Sequence, residues 1–161
     1  MKPIEQWIRE YGKSHQNSTN KAIHWICVPL IMLSLLALIS TIPFPINDFA
    51  LFSISGEKVL LNWTILFLLF AIIFYLRLSI SITIGMLLIA IGMIASIKWI
   101  EFFDPTIWKL SLSIFVGAWI FQFIGHKIEG KKPSFFKDLQ FLLIGPAWLL
   151  SFIYKKMGIK L

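Results

Sequence analysis

The chain has 161 residues, of which 58% are hydrophobic and only 14% charged, whereas soluble domains are about 45–50% apolar. So few charges cannot cover the wetted surface of a soluble domain, which excludes a water-soluble enzyme and requires lipid as the solvent. The net charge of +7 would suggest nucleic-acid binding in a soluble protein; in an apolar chain it is a topology signal, and no nucleic-acid partner is expected.

The first 22 residues carry Lys2, Glu5, Arg9, Glu10, Lys13 and Lys21 and no apolar run, so they are not a signal peptide and are expected to stay in the mature protein. Within them Ile4, Trp7, Ile8 and Tyr11 follow i, i+3, i+4, i+7 spacing, which predicts an amphipathic helix lying on the cytoplasmic membrane face. Ser14, Asn17, Asn20 and Lys21 stand before the first apolar run, where Asn20 in particular suits a helix cap.

Four stretches approach the roughly 20 apolar residues a spanning helix needs: about Ile23 to Ile42, Leu60 to Leu76, Ser79 to Ile97, and Ile107 to Gly125. Pro43-Phe44-Pro45 with Asn47 and Asp48 breaks the first into an outer loop. Only Arg77 and Leu78 separate the second and third, which predicts a tight helical hairpin. A fifth run, Leu139 to Tyr154, is shorter and contains Gly145-Pro146, which predicts a re-entrant or interfacial element. The expected fold is an all-α, integral membrane four-helix bundle with an N-terminal amphipathic helix and this short fifth segment, residues 1–161 forming one membrane-embedded domain.

Lys2, Arg9, Lys13, Lys21, Arg77, Lys127, Lys131, Lys132 and Lys137 fall on one side of such a bundle and only Lys58, Lys98 and Lys109 on the other, which places the N-terminus in the cytoplasm. A fifth segment that dips in and returns preserves this bias, because Lys155, Lys156 and Lys160 then join the basic side.

The lone cysteine, Cys27, makes cysteine chemistry unattractive. Trp25, Trp63, Trp99, Trp108 and Trp148 fall near predicted span ends as belt residues. The histidines differ: His15 and His24 flank the start of the first span and His126 ends the fourth, all on the cytoplasmic side. Polar groups at the mouth of an apolar bundle are costly unless paired, so His24 and His126, with Glu129 at i+3 from His126, mark a site. Each histidine alone could instead be an interfacial side chain bonded to a carbonyl. Three imidazoles and a carboxylate suit iron, zinc or manganese, and Fe(II) in particular. Gln122, one turn before His126 inside an apolar span, could orient a ligand from behind.

Two blocks carry a resemblance. They are Tyr11, Ser14-His15, Asn20-Lys21, His24, Cys27 and Pro29, and then Trp119, Gln122-Phe123, Gly125-His126, Glu129-Gly130 and Pro133, followed by Asp138-Leu139 and Gly145-Pro146. Together they resemble the family of the fungal endoplasmic-reticulum 2-hydroxy fatty acid dioxygenase of phytosphingosine breakdown, over essentially the whole chain. The resemblance implies an Fe(II)-dependent enzyme that shortens a 2-hydroxy fatty acid by one carbon, using O2. It carries metal roles onto His15, His24 and His126 and matches Glu129 to the motif's acid. Glu129, Gln122 and Lys21 are then catalytic candidates, and Tyr11, Asn20 and Lys131 candidates for substrate binding, with the acyl chain among Phe121 and Phe123. Two departures stand out: Cys27 where glycine is expected, implying looser helix packing, and Ser151 and Phe152 where relatives often place a carboxylate.

Electron counting agrees with that chemistry. A 2-hydroxy acid plus O2 yields the acid one carbon shorter, CO2 and water, all four electrons coming from the substrate, so no reductase partner is needed. The expected location is the bacterial inner membrane, or the endoplasmic reticulum in a eukaryote, among membrane lipid. The competing reading is a small transporter or channel whose histidines bind protons or a cation; against it, the span interiors hold few ionisable groups. A histidine pair could also ligate haem.

Overall fold

The computed structural model describes residues 3–46, 50–54, 57–104, 106–130 and 141–161. They form six helices and one hairpin: α1 (Ile4–Gly12), α2 (Ser18–Ser40), β1 (Ala50–Ile54), β2 (Glu57–Leu60), α3 (Trp63–Leu76), α4 (Ile80–Phe103), α5 (Ile107–Ile128) and α6 (Ile144–Met157). The fold is all-α apart from the antiparallel hairpin, in which Phe52 pairs with Val59 and Ile54 with Glu57. That hairpin occupies the outer loop between the first two expected spans.

Three helices, α2, α4 and α5, are long and apolar enough to cross a membrane. Their outer faces fit lipid: Leu88 and Phe102 of α4 and Ile120 of α5 are 65%, 83% and 53% exposed, more apolar exposure than water tolerates. The chain is a membrane protein. The second expected span is shorter than the others. At 14 residues, α3 is about 21 Å long against a hydrocarbon core of about 30 Å, because Leu60 belongs to β2 and Asn62 caps the helix by accepting from the Ile65 amide.

The first span also starts earlier than expected. Asn17, rather than Asn20, caps α2, its side-chain oxygen accepting from the Thr19 and Asn20 amides. This adds a turn before Ile23 and puts Asn20 inside the helix. Hydroxyls within the spans are satisfied locally: Ser34 donates to the Leu30 carbonyl and Thr83 to the Ser79 carbonyl. At the far end, Ser40 of α2 donates to Glu101 of α4, which also holds Lys98 at 2.8 Å.

The apolar stripe of α1 faces protein instead of lipid. Ile4 joins Ala71, Tyr75, Ile82, Met86, Ala147, Leu150 and Tyr154 in one core cluster, and Tyr11 joins Val28, Ile144, Trp148 and Leu149 in another. What covers α1 is α6, whose first eight residues, Ile144 to Ser151, are all buried. Gly145-Pro146 falls in the first turn of α6, where a missing amide costs nothing, so it starts the helix instead of breaking it.

Both ends of α6 are tied to the same end of the bundle. Near its start, the Leu143 carbonyl accepts from Tyr75, at the last turn of α3; near its finish, Tyr154 donates to the carbonyl of Ser81, at the first turn of α4. A helix tied at both ends to the α3–α4 turn lies across that end of the bundle. The close approach of α6 to α4 depends on Gly85, where an added Cβ would run into Tyr154 and Leu150. Replacing Gly85 with Ala is expected to cost about 1–3 kcal/mol by overpacking, read as a drop of several degrees in melting temperature in detergent.

Candidate metal centre

Each of the three histidines comes from a different piece of the mouth. His15 lies in the turn between α1 and α2, His24 on the second turn of α2, and His126 on the last turn of α5. His15 and His24 are 2% and 1% exposed, and one nitrogen from each of the three rings lies within 4.8 Å of the others. The ring centroids of His126 are 5.4 Å from His15 and 5.3 Å from His24.

Backbone carbonyls fix the tautomers. The Nδ1 of His15 lies 2.7 Å from the Tyr11 carbonyl and the Nδ1 of His24 lies 2.9 Å from the Asn20 carbonyl. A carbonyl oxygen only accepts, so both Nδ1 atoms carry hydrogen, and a neutral ring held in this way presents its Nε2 as an acceptor. These two Nε2 atoms face each other at 2.9 Å. Two lone pairs so disposed repel unless a cation lies with them, and imidazole held from behind at Nδ1 is the usual posture of a metal ligand. The donor set therefore fits a divalent transition metal.

A wall of aromatic rings seals one flank. Tyr11 stacks on His15, with centroids 4.2 Å apart and planes at 11°. Trp148 of α6 lies 5.3 Å from His15 and 5.2 Å from Tyr11. Trp148 is only 3% exposed, so it is a site residue and not the belt residue expected; Trp25, Trp63, Trp99 and Trp108 are all more than 40% exposed. Its position beside Gly145-Pro146 was the only hint in the sequence.

Glu129 caps α5 and reaches the histidine turn. Its two carboxylate oxygens accept from the Gln16 amide at 2.7 Å and the Asn17 amide at 2.9 Å, and from the Asn20 side chain at 3.0 Å. Glu129 thus clasps the loop that carries His15 to the helix that carries His126. Partial burial pushes its carboxyl up, but the bonds from Gln16, Asn17 and Asn20, with His15 nearby, hold it below its ordinary value of 4.5.

The other candidates spread around this centre. Asn20 is fully buried and Gln122 nearly so, and the Oδ1 of Asn20 and Oε1 of Gln122 are both buried without a hydrogen-bond partner. Lys21 is half-buried one turn before His24. Lys131 lies outside the described residues. Cys27 does not loosen the packing; it is buried against Ile31 and Ala118. Ser151 donates to the Trp148 carbonyl. Phe121 and Phe123 are 57% and 46% exposed on α5 and line no described cavity; the apolar cavity beside the site is instead bounded by α2, α3, α4 and α6.

The sequence matches the family described as "Mpo1-like: 2-hydroxy-palmitic acid dioxygenase Mpo1-like" over residues 1–157. The chain belongs to the Mpo1-like family. It is 29% identical over 150 residues to the 2-hydroxy-palmitic acid dioxygenase MPO1 of Saccharomyces cerevisiae, covering 92% of this chain and 78% of the yeast protein. No solved structure matches. In this Mpo1-like chain both histidine blocks lie within the matched span.

Removing the Glu129 clasp by Glu129→Ala is expected to speed hydrogen exchange at the Gln16 and Asn17 amides and to cost about 1–2 kcal/mol, discounted for partial exposure. Because the folded carboxyl titrates below its ordinary value, that stabilisation is complete above pH 4.5 and is lost as the pH falls through the lower, folded value. Exchange measured in the wild type on acidification should approach that of the variant.

Proposed function

We propose that this protein is an Fe(II)-dependent dioxygenase that converts a 2-hydroxy fatty acid and O2 into the fatty acid one carbon shorter, CO2 and water. The observation that carries the reading is the clustering of His15, His24 and His126, with the Nε2 atoms of His15 and His24 2.9 Å apart and one nitrogen of each ring within 4.8 Å of the others, in a chain whose relative is a 2-hydroxy-palmitic acid dioxygenase. His15, His24 and His126 hold the metal. Bound there, Fe(II) supplies the one-electron chemistry that lets O2 react with a closed-shell substrate.

The protein's own groups divide the remaining work. The Tyr11 and Asn20 carbonyls hold the two rings in the tautomer that leaves Nε2 free to coordinate. The unpartnered Oε1 of Gln122 accepts a hydrogen bond from the substrate's 2-hydroxyl. Lys21 and Lys131 draw the carboxylate by their charge. Tyr11 and Trp148 exclude water from one side of the reacting head group. Glu129 positions the histidine turn rather than touching the substrate, and Asn20, bonded to it through Nδ2, offers its unpartnered Oδ1 as a second acceptor for the substrate's hydroxyl. The basic mouth faces the cytoplasm, a reading that the charge asymmetry supports, and a membrane-dissolved fatty acid reaches it from the lipid.

Protein purified without oxygen is expected to contain iron at about one equivalent and to release CO2 from a 2-hydroxy fatty acid once O2 is admitted. His24→Ala and His126→Ala should lose the metal and at least a hundredfold of the activity. Iron and turnover unchanged in both variants would refute the assignment. A Soret band would redirect it to haem.

A further inference from the structure

Beside the histidines lies a cavity of about 140 Å³ whose wall is almost wholly apolar. We propose that it receives the hydrocarbon tail of a single-chain substrate, threaded in sideways from the bilayer, and that it sets the preferred chain length; this rests on the function proposed above.

Three observations converge on that occupant. The first is continuity with the metal centre. Val28 and Leu149 line the cavity and also pack with Tyr11 and Trp148, the rings that lie against His15. A head group at the histidines thus has its second carbon a side chain away from the apolar space. The second is the rim. Trp25 and Ile153 line the cavity yet are each 42% exposed, and Pro29, which also lines it, is exposed too. The gap between α2 and α6 therefore opens toward lipid, the phase in which a fatty acid dissolves.

The third is shape. Inside the Trp25 rim the lining on α2 runs from Val28 to Leu36, roughly 12 Å of helix rise, ending at Leu36, which is 1% exposed, and at Met93 of α4. The enclosed volume is close to that of an engineered cavity of about 150 Å³ that binds benzene, so it takes one chain of on the order of six to ten methylenes. A second chain has no room, which excludes a diacyl lipid as the occupant. Longer tails leave through the Trp25 and Ile153 rim into the bilayer, where an added methylene gains nothing over free lipid-dissolved substrate.

The test is a series of 2-hydroxy fatty acids of increasing length, assayed by CO2 release in dilute detergent. In the wild type kcat/KM should rise with each added carbon while the tail fills the cavity, by less than the roughly fourfold of transfer from water, then level off. Ala90→Leu, which adds bulk to the wall, should bring the plateau two or three carbons earlier. Met93→Ala should delay it, so a folding failure in one variant leaves the other to decide. A plateau that moves in neither variant overturns the proposal. A wild type that oxidises no 2-hydroxy acid refutes the proposed function instead, and the cavity is then judged by a fatty acid carrying a mid-chain diazirine. Photolabelling of Met32, Met86 or Met93 supports the tail site; labelling confined to the outer face of α5, at Phe121 and Phe123, overturns it.

Discussion

At Gly125 a single added methyl group would meet the Asn20 side chain, and the geometry of the mouth depends on that absent methyl. It lets α5 come close enough to α2 for His126 to join His15 and His24. The same approach brings Glu129 within reach of the Gln16 and Asn17 amides. One small residue thus sets a distance between two backbones, and the distance sets both the metal centre and its clasp. In lipid, where helices gain little from burying apolar surface, such close backbone contacts are the main means of holding two spans in register.

The polar atoms around this junction share a sign. The Oδ1 of Asn20 and the Oε1 of Gln122 are buried acceptors without a donor, and the Nε2 atoms of His15 and His24 lie 2.9 Å apart, a distance that needs a proton or a metal ion between them. Elsewhere in the spans hydroxyls return their hydrogens to nearby carbonyls. A surplus of acceptors in one place is costly in an apolar medium. It becomes favourable when a cation and a hydroxyl-bearing ligand supply what is missing, as a metal ion and a 2-hydroxy acid do.

The spans and the histidines were legible in the sequence because lipid makes both conspicuous: apolar runs must be about as long as the bilayer is thick, and imidazoles are rare within them. What the sequence concealed was direction. A helix such as α4, apolar all round, carries no stripe to say which face looks inward, so the tail cavity could not be told from the lipid-facing rings of Phe121 and Phe123. The true stripe of α1 was visible, but its partner was not, since protein and membrane surface attract Ile4 and Tyr11 alike. Asn17 and Asn20 were equally good caps by type; the amide geometry of the turn decided for Asn17, and that choice freed Asn20 to face Glu129.

The placement of α6 joins the two halves of the site. Trp148 stands against His15, while its neighbours Leu149 and Leu150 wall the cavity, so adjacent residues of one helix touch the head-group and tail compartments. The helix is held at both ends, by Tyr75 on the Leu143 carbonyl and by Tyr154 on the Ser81 carbonyl, and Gly85 lets it settle close against α4. A shift of α6 that widened the cavity would therefore also move Trp148 against the ring it supports. Chain length and reactivity are then coupled through one rigid element. A tail that fills the cavity holds α6 and Trp148 in place around the head group, and a tail too short to fill it leaves that wall less well supported.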